Sequence, residues 1–279
     1  MPTQDLRIQL ETLRPFPAAA CKLIRLINDE RVDFREVSGV IAADAAFSSQ
    51  VLKLANSALL RGRYEITSIL NALSVVGIDR LRDVVVTVAL KNFLGDTDNA
   101  FLHRCWRHNL ATALWCEKLA KCFDIESPLG YTAGILHDIG RIGLLMVLPN
   151  DYAEFLESAP PALGDPLVAE RKHCKTDHCQ VGHSLAAAWN FPAVLRDVIA
   201  HHHDAVARRP PRVRRLVQAA CVAASMSGFY TTGRERSWES KRIEDLLPRP
   251  DTRVALPYED LLETVARKLN ETECSLVCC

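Results

Sequence analysis

Apolar residues in this chain recur at the three- and four-residue spacing of a single helical face from Cys21 to Leu269. That spacing confines the chain to packed helices, because a 3.6-residue period buries a stripe on a helix whereas a half-buried strand needs a period of two. Cys21, Leu23, Ile24 and Ile27 form the first stripe, behind Pro15 and Pro17, which suit a helix entry. Asp33 predicts the next cap, with Glu36 three residues on and Phe34, Val37, Val40 and Ile41 as the buried stripe. Asp44 predicts another, followed by Phe47, Val51, Leu54 and Ala55 and a turn at Arg61-Gly62-Arg63. From Ser68 two helices are expected, joined near Gly77, with Asp79 capping the second and Leu81, Val84, Val85 and Val88 facing inward. The run from Val84 to Val88 favours strand by propensity, but no pairing partner or hairpin turn lies near it, so helix is expected there too.

The segment GDTDN at 95–99 puts turn formers and charge between two apolar helices and marks a boundary. Beyond it, helical elements are expected near 104–122, 128–147, 151–158, 166–188, 192–203 and 212–228. The last fifty residues are more charged and proline-punctuated, and end in an amphipathic helix with Leu261, Leu262, Val265 and Leu269 on one side. The expected fold class is all-α. Its organisation is an N-terminal helical unit over 1–98, a second helical unit over 99–229 and a charged tail with a terminal helix over 230–279.

At 279 residues and 48% hydrophobic content the chain can bury a proper core without disulfide staples. Thirty-four basic residues balance thirty-four acidic ones, so no global field draws the protein to nucleic acid, and no aromatic stacking pattern supports such a partner. No stretch of about 18 uninterrupted apolar residues is present to span a bilayer, and the first residues lack the pattern of a signal peptide. A cytoplasmic location is expected, with the ten cysteines as reduced thiols and Cys278-Cys279 as a frayed end.

Chemistry concentrates at His108, at His137-Asp138, at His178 and His183, at the triplet His201-His202-His203 before Asp204, and at Cys221. Imidazoles and carboxylates spread over separate helices are what a metal site in a helical bundle requires, since each helix presents one or two donors to a shared centre. His137 and Asp138 interrupt an apolar helix, and burying both without compensation would cost several kcal/mol. His103, His173 and His203 read as solvent-facing. A rival zinc set would use Cys174, His178, Cys179 and His183, although knuckle spacing is missing. Arg208, Arg209, Arg212, Arg214 and Arg215 follow the histidines closely enough to meet a phosphate, or form a solvated loop fixed by Pro210 and Pro211.

GILHDIG at 134–140 resembles the motif of the HD superfamily of metal-dependent phosphohydrolases. Its surroundings resemble the HDOD family, the HD-related output domain of bacterial signalling proteins. LRPFP at 13–17, LANSA at 54–58, SI..A...VGIDRLR at 68–82, WRHNLATA at 106–113, TDHCQVG at 176–182, WNFP at 189–192 and IAHHH at 199–203 fall in the order expected of that family. The resemblance implies an N-terminal helical part packed on an HD-like helical core. It assigns His108, His137 and Asp138 to the metal positions, with His178, His201 and His202 as additional ligands of a divalent ion (Fe, Mn, Zn or Mg). If the site is active, Asp138 and Arg141 would carry catalysis. Cys221 stands where HD enzymes place their last aspartate, and the Gly-Tyr-Pro segment of the cyclic-dinucleotide enzymes is absent after His203. The resemblance therefore implies a regulatory output domain with a degenerate metal site, acting on a signalling protein partner rather than by turnover. Its alternative is a metal-dependent phosphohydrolase acting on a nucleotide or other phosphate-containing small molecule.

Overall fold

The computed structural model describes residues 4–25, 33–57, 65–95, 98–158, 166–204, 210–232, 247 and 258–277, and every regular element among them is a helix. The turn at 61–63, Ile27, part of the 95–99 segment, Arg208, Arg209 and the two terminal cysteines lie outside these residues. None of the described helices is long and apolar enough to cross a membrane, and no disulfide joins the described cysteines. The chain divides into two compact units, Met1–Arg14 with Asp96–Leu256, and Pro15–Gly95 with Pro257–Cys279.

Helix α1 (Gln4–Glu11) belongs to the first of these. The second is built from α2 (Ala18–Arg25), α3 (Phe34–Ala42), α4 (Ala45–Ala55), α5 (Ile69–Val76) and α6 (Ile78–Leu94). Asp33 caps α3 by accepting from the Arg35 N–H at 2.8 Å, and Asp44 caps α4 by accepting from Phe47 at 2.9 Å. Each satisfies a donor that the helix start leaves orphaned. The valine run lies in α6, where Val84, Val85, Val86 and Val88 are all buried against neighbouring helices. Packing on every side outweighs the modest β preference of the branched side chains. Asp79 does not cap α6. A single residue, Gly77, joins α5 to α6 at φ 84°, a conformation glycine adopts freely, and Asp79 lies inside the first turn, where it pairs with Arg82 at 3.2 Å.

In the other unit α7 (Ala100–Leu119) ends in a 3₁₀ turn (Ala120–Phe123) and is followed by α8 (Ser127–Leu136), α9 (Ile139–Val147) and α10 (Pro149–Ser158). After these come α11 (Pro166–Cys174), α12 (His178–Ala188), α13 (Ala193–His201) and α14 (Arg212–Met226). Helices α7, α8 and α14 pack mutually around fully buried Trp115, while α12 packs on α9 and α13. The terminal helix α15 (Tyr258–Val277) packs on α4 in the Pro15–Gly95 unit and buries Val265 and Leu269.

Two helices expected to be continuous are broken, and both breaks serve the histidines. The 128–147 element stops at His137 and resumes at Ile139, because the His137 ring takes the Gly134 carbonyl, one of the acceptors a helix end leaves open. The 166–188 element breaks at Lys175, which has φ 60°, and restarts where buried Asp177 accepts from the Gln180 N–H at 2.8 Å.

Candidate metal centre

Four histidines from four helices share one arrangement. His108 on α7 bonds through Nδ1 to the Phe229 carbonyl at 2.6 Å, and His137 at the end of α8 bonds through Nδ1 to Gly134 at 2.7 Å. His178, the first residue of α12, sets Nδ1 2.6 Å from the Glu170 carboxylate, and His202, just past α13, sets Nδ1 3.1 Å from the Ile199 carbonyl. Carbonyls and carboxylates only accept, so each Nδ1 carries a hydrogen, and each ring in its neutral form would present an Nε2 lone pair inward. This outer bonding is the pattern that orients metal-ligating imidazoles.

The inward nitrogens surround Asp138. Its Oδ1 lies 3.2 Å from Nε2 of His178 and of His202, and its Oδ2 lies 3.9 and 3.8 Å from Nε2 of His108 and His137. Two adjacent donor groups result. One holds Asp138, His178, His202 and His203, the other His108, His137 and Cys221, and within each group the donor atoms lie within 4.8 Å of one another. Cys221 Sγ is 3.5 Å from His108 Nε2.

The residues fit a divalent cation on two observations. Nε2 of His137 is buried with no hydrogen-bond partner among the described residues, which in a dry interior costs on the order of 1–3 kcal/mol. Nε2 of His178 and of His202 lie 3.4 Å apart and each 3.2 Å from Asp138 Oδ1, so two imidazole nitrogens and a carboxylate oxygen converge on one point. Burial pushes His108 and His137 down, favouring the neutral ligand form. Burial and Arg141 also oppose charge on His178, but Glu170, Cys179 and Asp138 outweigh them and lift it to about 10. Burial alone would raise Asp138, yet Arg141, His137 and His178 hold it well below the usual carboxylate range. The centre thus attracts positive charge.

A ring of buried hydrogen bonds fixes this geometry. Arg141 Nε donates to Asp138 Oδ2 at 2.9 Å and its Nη1 donates to the Tyr152 hydroxyl at 3.2 Å. Tyr152 donates to Glu170, which holds His178 and so returns to Asp138. Burial works against an ionised Glu170, but His178 and Arg141 keep it so, at about 2. Arg141 is therefore committed to its neighbours.

Of the six residues that the resemblance placed on a metal, five converge and His201 does not. As the last residue of α13 it is exposed and bonds Asp204 at 2.8 Å, because one residue of helix rotates it about 100° from His202. His203, read from the sequence as solvent-facing, is half-buried, with its ring edge-on to His178 at 4.9 Å between centroids. The rival zinc set does not assemble: His183 is exposed, and buried Cys179 instead sits 3.6 Å from His178 Nε2. In the arginine run, Arg212 pairs with Asp124, Arg214 pairs with Asp197 at 2.6 Å and Arg215 lies over the Phe123 ring. Glu170 and Tyr152 were not legible in the sequence, since only the fold brings α10 and α11 against His178 and Arg141.

The HDOD domain family model matches residues 13–205. Among curated proteins, an uncharacterised protein of Treponema pallidum (strain Nichols) is 22% identical over 222 residues. That match takes in 77% of this chain and 42% of that protein, so the chain spans less than half of that relative's length. Among solved structures, a candidate phosphohydrolase from Shewanella amazonensis SB2B is 23% identical and superimposes with a TM-score of 0.73, covering 99% of each chain. An HDOD domain protein of unknown function from Geobacter sulfurreducens gives 20% and 0.65, covering 97% of this chain and 96% of the other. A candidate signal transduction protein from Marinobacter aquaeolei VT8 gives 19% and 0.71, covering 98% and 62%. At these identities the solved structures speak to the fold, and the family match, over most of the chain, to membership: the chain belongs to the HDOD family.

Proposed function

We propose that this chain is a signal-transduction output domain in which a buried metal centre locks the HD-like helices into one arrangement, and that the output is protein–protein interaction rather than turnover. The observation that carries this reading is the burial of a donor set oriented inward. His108, His137, Asp138, His178 and His202 are each at most 4% exposed, which shields an ion held among them from bulk solvent on most sides. Four imidazoles and one carboxylate favour iron, manganese or zinc over magnesium, which prefers oxygen ligands. A bound ion would supply a fixed positive charge and Lewis acidity at Asp138. The test is elemental analysis of the purified protein, together with phosphodiesterase assays on bis(p-nitrophenyl) phosphate and on cyclic dinucleotides. Bound transition metal without turnover is expected. Metal-dependent hydrolysis, or protein with no metal, would contradict the proposal.

One observation favours a phosphohydrolase instead: His203 gives the donor group a partly solvent-facing member. Against it, Arg141, the cation best placed to meet a phosphoryl oxygen, is already bound to Asp138 and Tyr152.

Substitutions separate the ligands from their neighbours. His202→Ala is expected to lower manganese affinity by about 100-fold or more, given that loss of an outer partner alone costs about 10–100-fold. His201→Ala should leave it within about twofold, since its ring faces solvent. Cys221→Asp is expected to tighten manganese binding about tenfold, by adding a hard oxygen donor beside His108. Equal affinities in a direct titration of Cys221→Asp and the wild type would refute the carry-over of that position.

A further inference from the structure

A cavity lies behind His108. Beyond α14 the chain turns through Ser227 and Gly228, which has φ 85°. The Gly228 N–H bonds to the Ser225 carbonyl and the Phe229 N–H to Ala224, the pairing that ends a helix with a left-handed glycine. Trp115 pins this turn by donating to Ser227 Oγ at 3.2 Å. The turn aims the Phe229 carbonyl at His108, and it also makes one wall of a cavity of about 310 Å³, whose other wall is the first turns of α7.

The lining chemistry is one-sided. His103, Arg104 and Arg107 come from α7 and Phe229 and Tyr230 from the turn, and among the described residues that line the space none is acidic. Arg104 Nη1 has no hydrogen-bond acceptor among the described residues, and the carboxylate paired with it, that of largely exposed Glu157, is 3.9 Å away. Arg107 stands over the Phe229 ring at 5.3 Å, which brings a guanidinium of the α7 wall against an aromatic ring of the turn. The volume lies at the small end of the range of about 300–1,000 Å³ typical of ligand pockets.

We infer that this cavity binds a small phosphomonoester carrying an aromatic ring, of the size of a nucleoside monophosphate. The arginines and His103 would take the phosphate as charge-assisted donors, and Phe229 and Tyr230 would take the ring. Because the Phe229 carbonyl orients His108, a ligand that fixes the turn also fixes one donor of the metal centre. Occupancy of either site then alters the affinity of the other by the same factor. The pocket stands by itself, whereas the coupling rests on the metal reading above.

Calorimetry with GMP, AMP, guanosine and inorganic phosphate on EDTA-treated protein tests the pocket. At least one nucleotide is expected to bind, and guanosine and inorganic phosphate about tenfold or more weakly, because each lacks half of the contacts. Arg104→Ala should weaken the nucleotide about tenfold, the loss expected for one charge-assisted contact. Ala100→Trp, which fills the exposed rim and leaves the charges in place, should weaken it as much. Failure of both nucleotides to bind, or unchanged affinity in both variants with native circular dichroism, overturns the pocket. Repeating the nucleotide titration with manganese present tests the coupling: a changed affinity supports it, and an unchanged one in manganese-loaded protein refutes the coupling and leaves the pocket standing. Absence of manganese binding strikes instead at the metal reading.

Discussion

Gly140→Ala is expected to destabilise the protein by about 3 kcal/mol or more, at or beyond the upper end of what overpacking a core usually costs. A Cβ at Gly140 would lie 1.8 Å from the His178 carbonyl oxygen and 2.6 Å from the Gly182 nitrogen. Both are backbone atoms, so no rotamer change relieves the clash, and α9 and α12 must move apart. The same two helices carry the residues that follow Asp138 and begin at His178, so the separation also pulls apart the 3.2 Å contact between those side chains. Gly39→Ala is the control. It is an exposed helix position in α3, with nothing within 4 Å of its Cβ, and alanine there should stabilise by about 0.5–1 kcal/mol. Urea unfolding of the two variants measures both effects. A Gly140→Ala protein as stable as the wild type would show that α9 and α12 do not approach this closely.

Glu170→Ala is expected to cost about 3–5 kcal/mol, the range for removing one partner of a buried ion pair, and to weaken metal binding about 10–100-fold. Glu170 is 1% exposed. It accepts from the His178 backbone N–H at 3.1 Å, holds its ring at 2.6 Å and accepts from Tyr152. Its loss leaves three buried donors unmet and frees the His178 ring to rotate. Glu170→Gln keeps an acceptor and the side-chain shape but loses the charge, and should fall between alanine and wild type in both measurements. Similar metal affinity in all three proteins would mean that Glu170 does not orient His178 toward a metal.

Much of the fold was legible because local signals and burial agree. Asp33 and Asp44 cap the helices they precede, and behind them Val37 and Ile41, and then Phe47, Val51, Leu54 and Ala55, are buried. The valine run of α6 shows where propensity yields to packing: absence of a pairing partner, not residue preference, decided it. Asp79 misled because cap preference is a local rule, and the one-residue joint at Gly77 gave it no room to act. The donors legible in the sequence were those in motifs, His137-Asp138 above all. Within the histidine triplet, sequence could not fix the phase of the helix end, and phase separates exposed His201 from buried His202. Glu170 and Tyr152 carried no signal at all, since a buried carboxylate looks like any other glutamate until the fold surrounds it.

The most direct measurement is the melting temperature of EDTA-treated protein as manganese is added. An ion bound only by the folded centre stabilises it by about 2.7 kcal/mol at a hundredfold excess over Kd, or about 5–10 °C for a chain of this size. The wild type is expected to show that rise and His137→Ala to lose it, because the buried Nε2 without a hydrogen-bond partner is then gone. A wild type that does not respond, or a variant that responds equally, would contradict a metal centre at Asp138.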